Sequence, residues 1–207
     1  RAARGPGRRP ASSAAAPMAD GVAWSEGAEL WGGAVTCDLP GTYHDASEFR
    51  QVPDHQEVRV DTVADRSLMA EILEFKEDLP DDQAIGFFLS DLAAANSAQD
   101  PAVLSSRRLL VEEEMPGLPP DTRCVAGVGE QTIAKFGEAC VNRVRIYACA
   151  IRLPAQGSDI LLTLNDPVAI DPQSSSGGLP VLQGAEDIFA RILRSFRIVE
   201  WSLFEEG

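Results

Sequence analysis

Val141-Asn142-Arg143-Val144-Arg145-Ile146-Tyr147-Ala148-Cys149-Ala150-Ile151-Arg152-Leu153 is the stretch whose reading decides the fold. A strand sends successive side chains to opposite faces. Arg143, Arg145, Tyr147 and Cys149 then share one face and Val144, Ile146, Ala148 and Ala150 the other, so one face is expected to be buried more completely. Two neighbours in sequence read the same way: Arg123 to Phe136 before it, and Ile160 to Asn165 after the turn Pro154 to Ser158. Together they predict consecutive antiparallel strands.

Working outward, strand-like runs fall at Glu29 to Trp31, Ala34 to Leu39 and Gln56 to Asp61, the last edge-like, with turn-rich Gly41 to Pro53 between them. Asp65 is a good N-cap for a helix running to about Asp78 and stopped by Pro80, with Leu68, Ile72, Phe75 and Leu79 as its buried stripe. Ala84 to Leu89 reads as a strand and Asp91 to Ser97 as a short helix. Residues 99 to 121 mix Pro, Gly and acids and read as irregular, with a short strand at Leu109 to Glu112. Asp171 to Gly178 reads as a flexible loop. A last helix over Gly184 to Arg197 presents Ile188, Phe189, Ile192, Leu193 and Phe196 to the sheet. The pattern is an α+β domain, an antiparallel β-sheet flanked by α-helices.

Composition narrows the classes. With 207 residues, 44% hydrophobic and 24% charged, the chain suits one compact domain. No run approaches the roughly 18 apolar residues of a membrane span, the longest candidate being broken by Arg143, Arg145 and Arg152. The formal net charge is −14, and residues 1–17 hold Arg1, Arg4, Arg8 and Arg9 with no acid, so the remainder carries −18. Such a field repels phosphate backbones and anionic lipid and attracts a basic protein, although solubility alone would also explain it. Neither nucleic acid nor membrane is expected as a partner. Cys37, Cys124, Cys140 and Cys149 form no Cys-x-x-Cys pair and read as reduced, mostly buried thiols of a cytosolic or nuclear protein.

Residues 1–17 contain no large apolar residue and read as a disordered extension, 18–27 as a flexible lead, and 28–207 as the single domain. Met18 reads as a start codon preceded by translated upstream sequence, with the tail of an organellar transit peptide as the rival explanation.

Catalytic chemistry is sparse. His44 and His55, both in turn-rich stretches, are the two histidines, and neither has a metal-ligand partner at helical or hairpin spacing. Gly127-Val128-Gly129 lacks the third glycine of a dinucleotide fingerprint, and no phosphate-cradling Gly-Lys-Ser/Thr occurs. Glu112-Glu113-Glu114 reads as a solvated loop. No catalytic residue, cofactor or metal is assigned. On the expected helix, Glu71, Glu74 and Asp78 fall on one side, away from the apolar stripe. A solvated face accounts for that, and so does a docking surface.

The order of several short segments is more specific. Leu30-Trp31-Gly32-Gly33-Ala34, Leu39-Pro40, Asp45-Ala46-Ser47 and Val52-Pro53-Asp54-His55-Gln56-Glu57-Val58 follow one another, and Ser67-Leu68-Met69-Ala70-Glu71-Ile72-Leu73-Glu74, read as an acidic helix, Ile151-Arg152-Leu153-Pro154, Asp159-Ile160-Leu161-Leu162 and Ser202-Leu203-Phe204 come later. Locally, Pro53 fixes its own φ and extends Val52, Asp54 supports a turn into a strand, and Gly32-Gly33 permits a left-handed or bulged backbone. In this order the segments resemble the Ran guanine nucleotide release factors over roughly residues 28 to 204, with Trp31 standing where that family has Phe or Tyr. The resemblance implies a PsbP-like α/β/α sandwich and a monomeric regulator of the nucleus and cytoplasm. Such a regulator binds the GTPase Ran, promotes loss of its nucleotide and supports nuclear import. It also implies that Glu71 and Glu74 belong to the surface gripping the GTPase, with Asp78, Asp54 and Glu57 beside them. A PsbP-like photosystem subunit shares the fold but needs a lumenal targeting segment, and a Ran adaptor without release activity is the nearer alternative.

Overall fold

The computed structural model describes residues 23–204, so the extension read at 1–17 and the first part of the lead lie outside the described residues. The strands β1 (Trp24–Leu30), β2 (Val35–Pro40), β3 (Tyr43–Asp45), β4 (Gln56–Asp61) and β5 (Ser67–Glu74) come first. Helix α1 (Ala84–Ala95), strand β6 (Gln99–Arg108) and the single-turn helix α2 (Val111–Glu114) follow. Strands β7 (Arg123–Ile133), β8 (Asn142–Leu153) and β9 (Ser158–Ala169), helix α3 (Ala185–Ser195) and strand β10 (Arg197–Ile198) complete the order. A seven-stranded antiparallel sheet runs β3-β4-β5-β9-β8-β7-β6, and a three-stranded sheet runs β1-β2-β10. Trp24 to Gly27, read as part of a flexible lead, are strand residues, with Trp24 and Ser25 paired to Pro40 and Leu39 of β2 and a bulge following.

The decisive stretch is β8, an inner strand of the large sheet, with β7 on one side and the central strand β9 on the other. Its Val144, Ile146, Ala148 and Ala150 pack under Ile85, Phe88 and Leu89 of α1. Its Tyr147, Cys149 and Ile151 pack against Phe189, Ile192 and Leu193 of α3, together with Val35 and Cys37 of β2. The expected asymmetry between faces is therefore confined to the strand's beginning, where Arg143 is exposed and Arg145 pairs with Glu130; from Ile146 onward both faces are buried. Helices cover both sides, which makes this the helix-flanked antiparallel sheet that the order of elements predicted. Each large apolar side chain enclosed here stabilises the fold by about 1.5–3 kcal/mol relative to exposure. Gly127 allows the close approach of α1 and β6: a Cβ there would lie 2.3 Å from the Ser105 carbonyl oxygen and 2.6 Å from Ile85 Cγ2.

Several elements differ from expectation. Ser67 to Glu74 is a strand, not part of a helix over Asp65–Asp78: it pairs along its length with β9 and, from Ser67 to Glu71, with β4. Leu, Met, Ala and Glu favour helix intrinsically, but two ladders of hydrogen bonds and a buried central position outweigh that preference. Asp65 is no N-cap, sitting instead in a turn at φ 54° with its carboxylate on Lys135. Ala84 to Leu89 is helix rather than strand and is continuous with the helix read at Asp91, because a short unbroken apolar run fits either structure. Residues 99–108 are not irregular but form an exposed edge strand beside β7, and Leu109 to Glu112 lead into α2 rather than forming a strand. Strand β4, read as edge-like, lies inside β3. The loop Asp171 to Gly178 is tied down, with Ser174 and Ser176 buried, Ser176 Oγ bonded to Lys135, and Ser175 N–H donating to Glu138.

Candidate partner-binding site

Two segments separated in sequence are clipped together at the N-terminal end of β4. The chain reverses after β1 through Trp31, Gly32 and Gly33, all at positive φ (46°, 63° and 96°). An aromatic residue there is strained, and two hydrogen bonds hold it. The Trp31 backbone N–H donates to Glu57 Oε1 at 2.6 Å, and its indole Nε1–H donates to the Asp54 carbonyl at 3.1 Å. Glu57 Oε2 in turn pairs with Arg59 Nη2 at 3.1 Å. Arg59 also pairs with Asp45 and donates to the Glu29 carbonyl at 2.8 Å. Asp45 Oδ1 accepts the Ser47 N–H, capping a short turn over Ala46–Glu48. Burial works to raise the Asp45 pKa, but the Ser47 hydrogen bonds and Arg59 outweigh it and hold the carboxyl below its usual range. The turn itself closes by Gln56 N–H to the Pro53 carbonyl at 2.9 Å and joins β5 through Ile72 N–H to the His55 carbonyl at 2.9 Å.

This clip separates the two signature acids. Asp54 is exposed at the tip of the turn, whereas the Glu57 side chain is 18% exposed with both carboxylate oxygens engaged. Glu57 positions the turn that Asp54 crowns.

The acids assigned to a helix face are arranged differently. In an unbroken strand, residues three apart point to opposite sides, so Glu71 and Glu74 do not share a face. Glu71 lies on the α1 side with Met69 and Leu73 and is half-buried, accepting Gln56 Nε2–H at 2.7 Å. Burial raises its pKa, the Gln56 hydrogen bond and His55 oppose the shift, and Asp91 of α1 adds to it. Glu74 is exposed at the strand's end, and Asp78 is exposed in the segment beyond. The register Gln56–Glu71 nevertheless brings Asp54, Glu57, Glu71 and Glu74 to one end of the β4–β5 ladder, with Asp78 further along the chain. The arrangement is an acidic sheet end, not a helix face.

A buried arginine to which the sequence analysis assigned no role anchors Asp78's segment. Arg152 is fully buried and bonds Asp159 Oδ1 at 2.7 Å, the Lys76 carbonyl at 2.8 Å and the Leu79 carbonyl at 3.0 Å, with the Phe75 ring 4.7 Å away. A charged residue inside an apolar strand run is the signal that could have found it, because such residues are almost never fully buried unpaired.

Other features offer little chemistry. Among the described residues no group of three or more His, Cys, Asp or Glu is placed to hold a metal ion, and no helix is long and apolar enough to cross a membrane. Gly127, Val128 and Gly129 lie inside β7. Glu114 is bonded by Arg107 and is not simply solvated. The four cysteines are free; burial pushes Cys37 and Cys124 up to about 12, leaving them as unreactive thiols at neutral pH.

Comparison with known proteins identifies relatives of the chain. A family described as "Ran-interacting Mog1 protein" matches residues 28–167. A probable Ran guanine nucleotide release factor of Dictyostelium discoideum is 33% identical over 186 residues, covering 85% of this chain and 94% of that protein. The Ran guanine nucleotide release factor of Danio rerio is 33% identical over 181 residues, covering 84% and 97%. The crystal structure of the Saccharomyces cerevisiae Ran-binding protein Mog1p superposes with a TM-score of 0.66 at 26% identity, over 89% of this chain and all of that one. Two yeast relatives are named nuclear import proteins.

Proposed function

Since the chain belongs to the Ran-interacting Mog1 family, we propose that it binds the small GTPase Ran and promotes release of Ran's guanine nucleotide, in support of nuclear protein import. The observation that carries this reading is the family match itself, because residues 28–167 enclose the entire clip of Trp31, Asp54, Glu57 and Arg59. The chain acts as a regulator without catalytic chemistry of its own, as a monomer, in nucleus and cytoplasm. Asp54 meets the partner directly, Glu57 holds the turn, and Glu71, Glu74 and Asp78 extend the acidic surround. On a body carrying −18 outside its first seventeen residues, this end steers a basic protein surface into contact and disfavours nucleic acid and anionic membrane.

Release then follows from linkage. If the protein lowers Ran's nucleotide affinity by some factor, nucleotide lowers Ran's affinity for the protein by the same factor, typically about 5–150 fold. The chemistry that fits is exchange of one set of anions for another: carboxylates engage basic groups of Ran that otherwise help hold phosphate and Mg²⁺. Ran loaded with fluorescent nucleotide should lose it faster when this protein is added, and excess free nucleotide should displace the protein. Tight binding indifferent to nucleotide would reduce the chain to an adaptor.

A further inference from the structure

Resting on that reading and extending it, we propose that Phe49 is the apolar anchor of the same docking surface, seating in an apolar pocket flanked by basic side chains on the protein that the Asp54 turn engages. Single exposed hydrophobics are ordinary, and Leu110, Val199 and Leu104 are also well exposed. Three observations set Phe49 apart. At 70% it is the most exposed large hydrophobic among the described residues. Its backbone is also fixed rather than loose: the Phe49 and Arg50 N–H groups both donate to the Ala46 carbonyl at 3.0 Å, Ala46 is buried, and Asp45 is held by Arg59. Finally, it sits in the loop that ends in the Asp54 turn, between exposed Glu48 and Arg50.

A rigid aromatic side chain with two rotatable bonds loses little freedom on docking, and interfaces concentrate binding energy in such anchors while charged residues form the rim. Charge chooses the occupant. A second copy of this chain would bring a net −14 body against another, so like charges would oppose self-association, whereas a basic-surfaced partner satisfies the anchor and its acidic rim together.

The full chain should be tested against purified, nucleotide-depleted Ran by real-time binding at two salt concentrations. Phe49→Ala is expected to weaken binding at least about tenfold, mainly through faster dissociation and with little salt dependence. Its melting temperature should match the parent, since the side chain is exposed. Phe49→Leu should recover most of the affinity. Asp54→Asn should instead slow association in a salt-dependent way. Phe49→Ala binding within twofold of the parent, while Asp54→Asn is impaired, would overturn the anchor and leave the Ran reading standing. Failure of the parent chain to bind Ran would overturn both. A parent dimer in sedimentation that Phe49→Ala dissolves would show that the anchor serves self-association, and would overturn the assignment.

Discussion

Arg152 and Arg59 do the same chemical work in two different settings. Each gathers carboxylates and backbone carbonyls, and each thereby holds a loop carrying acids. Arg152 and Asp159 are completely withdrawn from water, and they fix the segment from Phe75 to Asp81 that bears Asp78. Arg59 is 11% exposed, with partners Glu57 and Asp45 at 18% and 32%, and it fixes the 46–57 loop that bears Phe49 and Asp54. Burial decides what each assembly is for. A fully desolvated pair makes stability depend on its completeness, whereas a pair near the surface positions a loop at modest stability cost and leaves neighbouring acids available to a partner.

The sharpest way to break this comparison is to remove the deeper arginine. Arg152→Met leaves Asp159 charged and unpaired in the interior and should destabilise the fold by about 3–5 kcal/mol. Replacing Asp159 by Leu in the same chain should recover part of the loss by removing the orphaned charge, while the Lys76 and Leu79 carbonyls stay without their arginine donor. Urea unfolding midpoints measure both. A single variant losing under about 1 kcal/mol would mean that water or backbone movement relieves Asp159 and that the pair is less isolated than its burial indicates.

At Arg59 the balance should reverse. Arg59→Met removes the partner of Glu57 and Asp45 and a hydrogen bond to the Glu29 carbonyl, a loss of about 1–2 kcal/mol in stability. Ran affinity should fall about tenfold, because the loop carrying Asp54 loses its preorganised geometry. Measured at a temperature where both variants are folded, Arg152→Met should bind more nearly like the parent. Equal losses of affinity in the two would erase the distinction between a structural anchor and a site-positioning one.

These assemblies also mark where the sequence was legible. The alternation in Arg143 to Ala150 announces a strand, and its neighbours, read at Arg123 to Phe136 and Ile160 to Asn165, do the same, so the inner strands of the sheet could be read directly, with ends that differ from the observed Arg123–Ile133 and Ser158–Ala169. Ser67 to Glu74 could not. Its Leu68, Ala70 and Ile72 satisfy a strand face and its Leu68, Ile72 and Phe75 a helix face, and its residue types prefer helix; only pairing with β4 and β9, distant in sequence, settles the matter. Ala84 to Leu89 fails for the complementary reason, an unbroken apolar run without a period. At the site, Asp54 and Glu57 stand out in the signature, yet their division of labour depends on hydrogen bonds from Trp31 spanning 23 and 26 residues. No local pattern encodes such a contact. Phe49 is a further case, since exposure is a property of what fails to pack over a side chain.

The smallest expected effect tests the half-buried acid that joins β4 to β5. Glu71 has a pKa raised above its ordinary value, chiefly by burial, with Asp91 adding to the shift and Gln56 and His55 opposing it. A carboxyl whose folded pKa exceeds its unfolded one binds its proton more tightly in the folded state. The stability associated with that preference is present below the unfolded pKa and is lost as pH rises through the folded one. At neutral pH, then, the ionised Glu71 detracts from folding. Glu71→Gln can still accept the Gln56 Nε2–H through its amide oxygen and carries no charge to desolvate, so it should be more stable than the parent at pH 7. Partial exposure limits the gain to less than about 1 kcal/mol. The gap should close as pH falls through the carboxylate range, because protonation then neutralises the parent as well. Melting temperatures from pH 3 to 8 measure this directly. A variant less stable than the parent at pH 7 would show that the bond to Gln56 outweighs desolvation, and that Glu71 belongs with the well-paired carboxylates around Arg59.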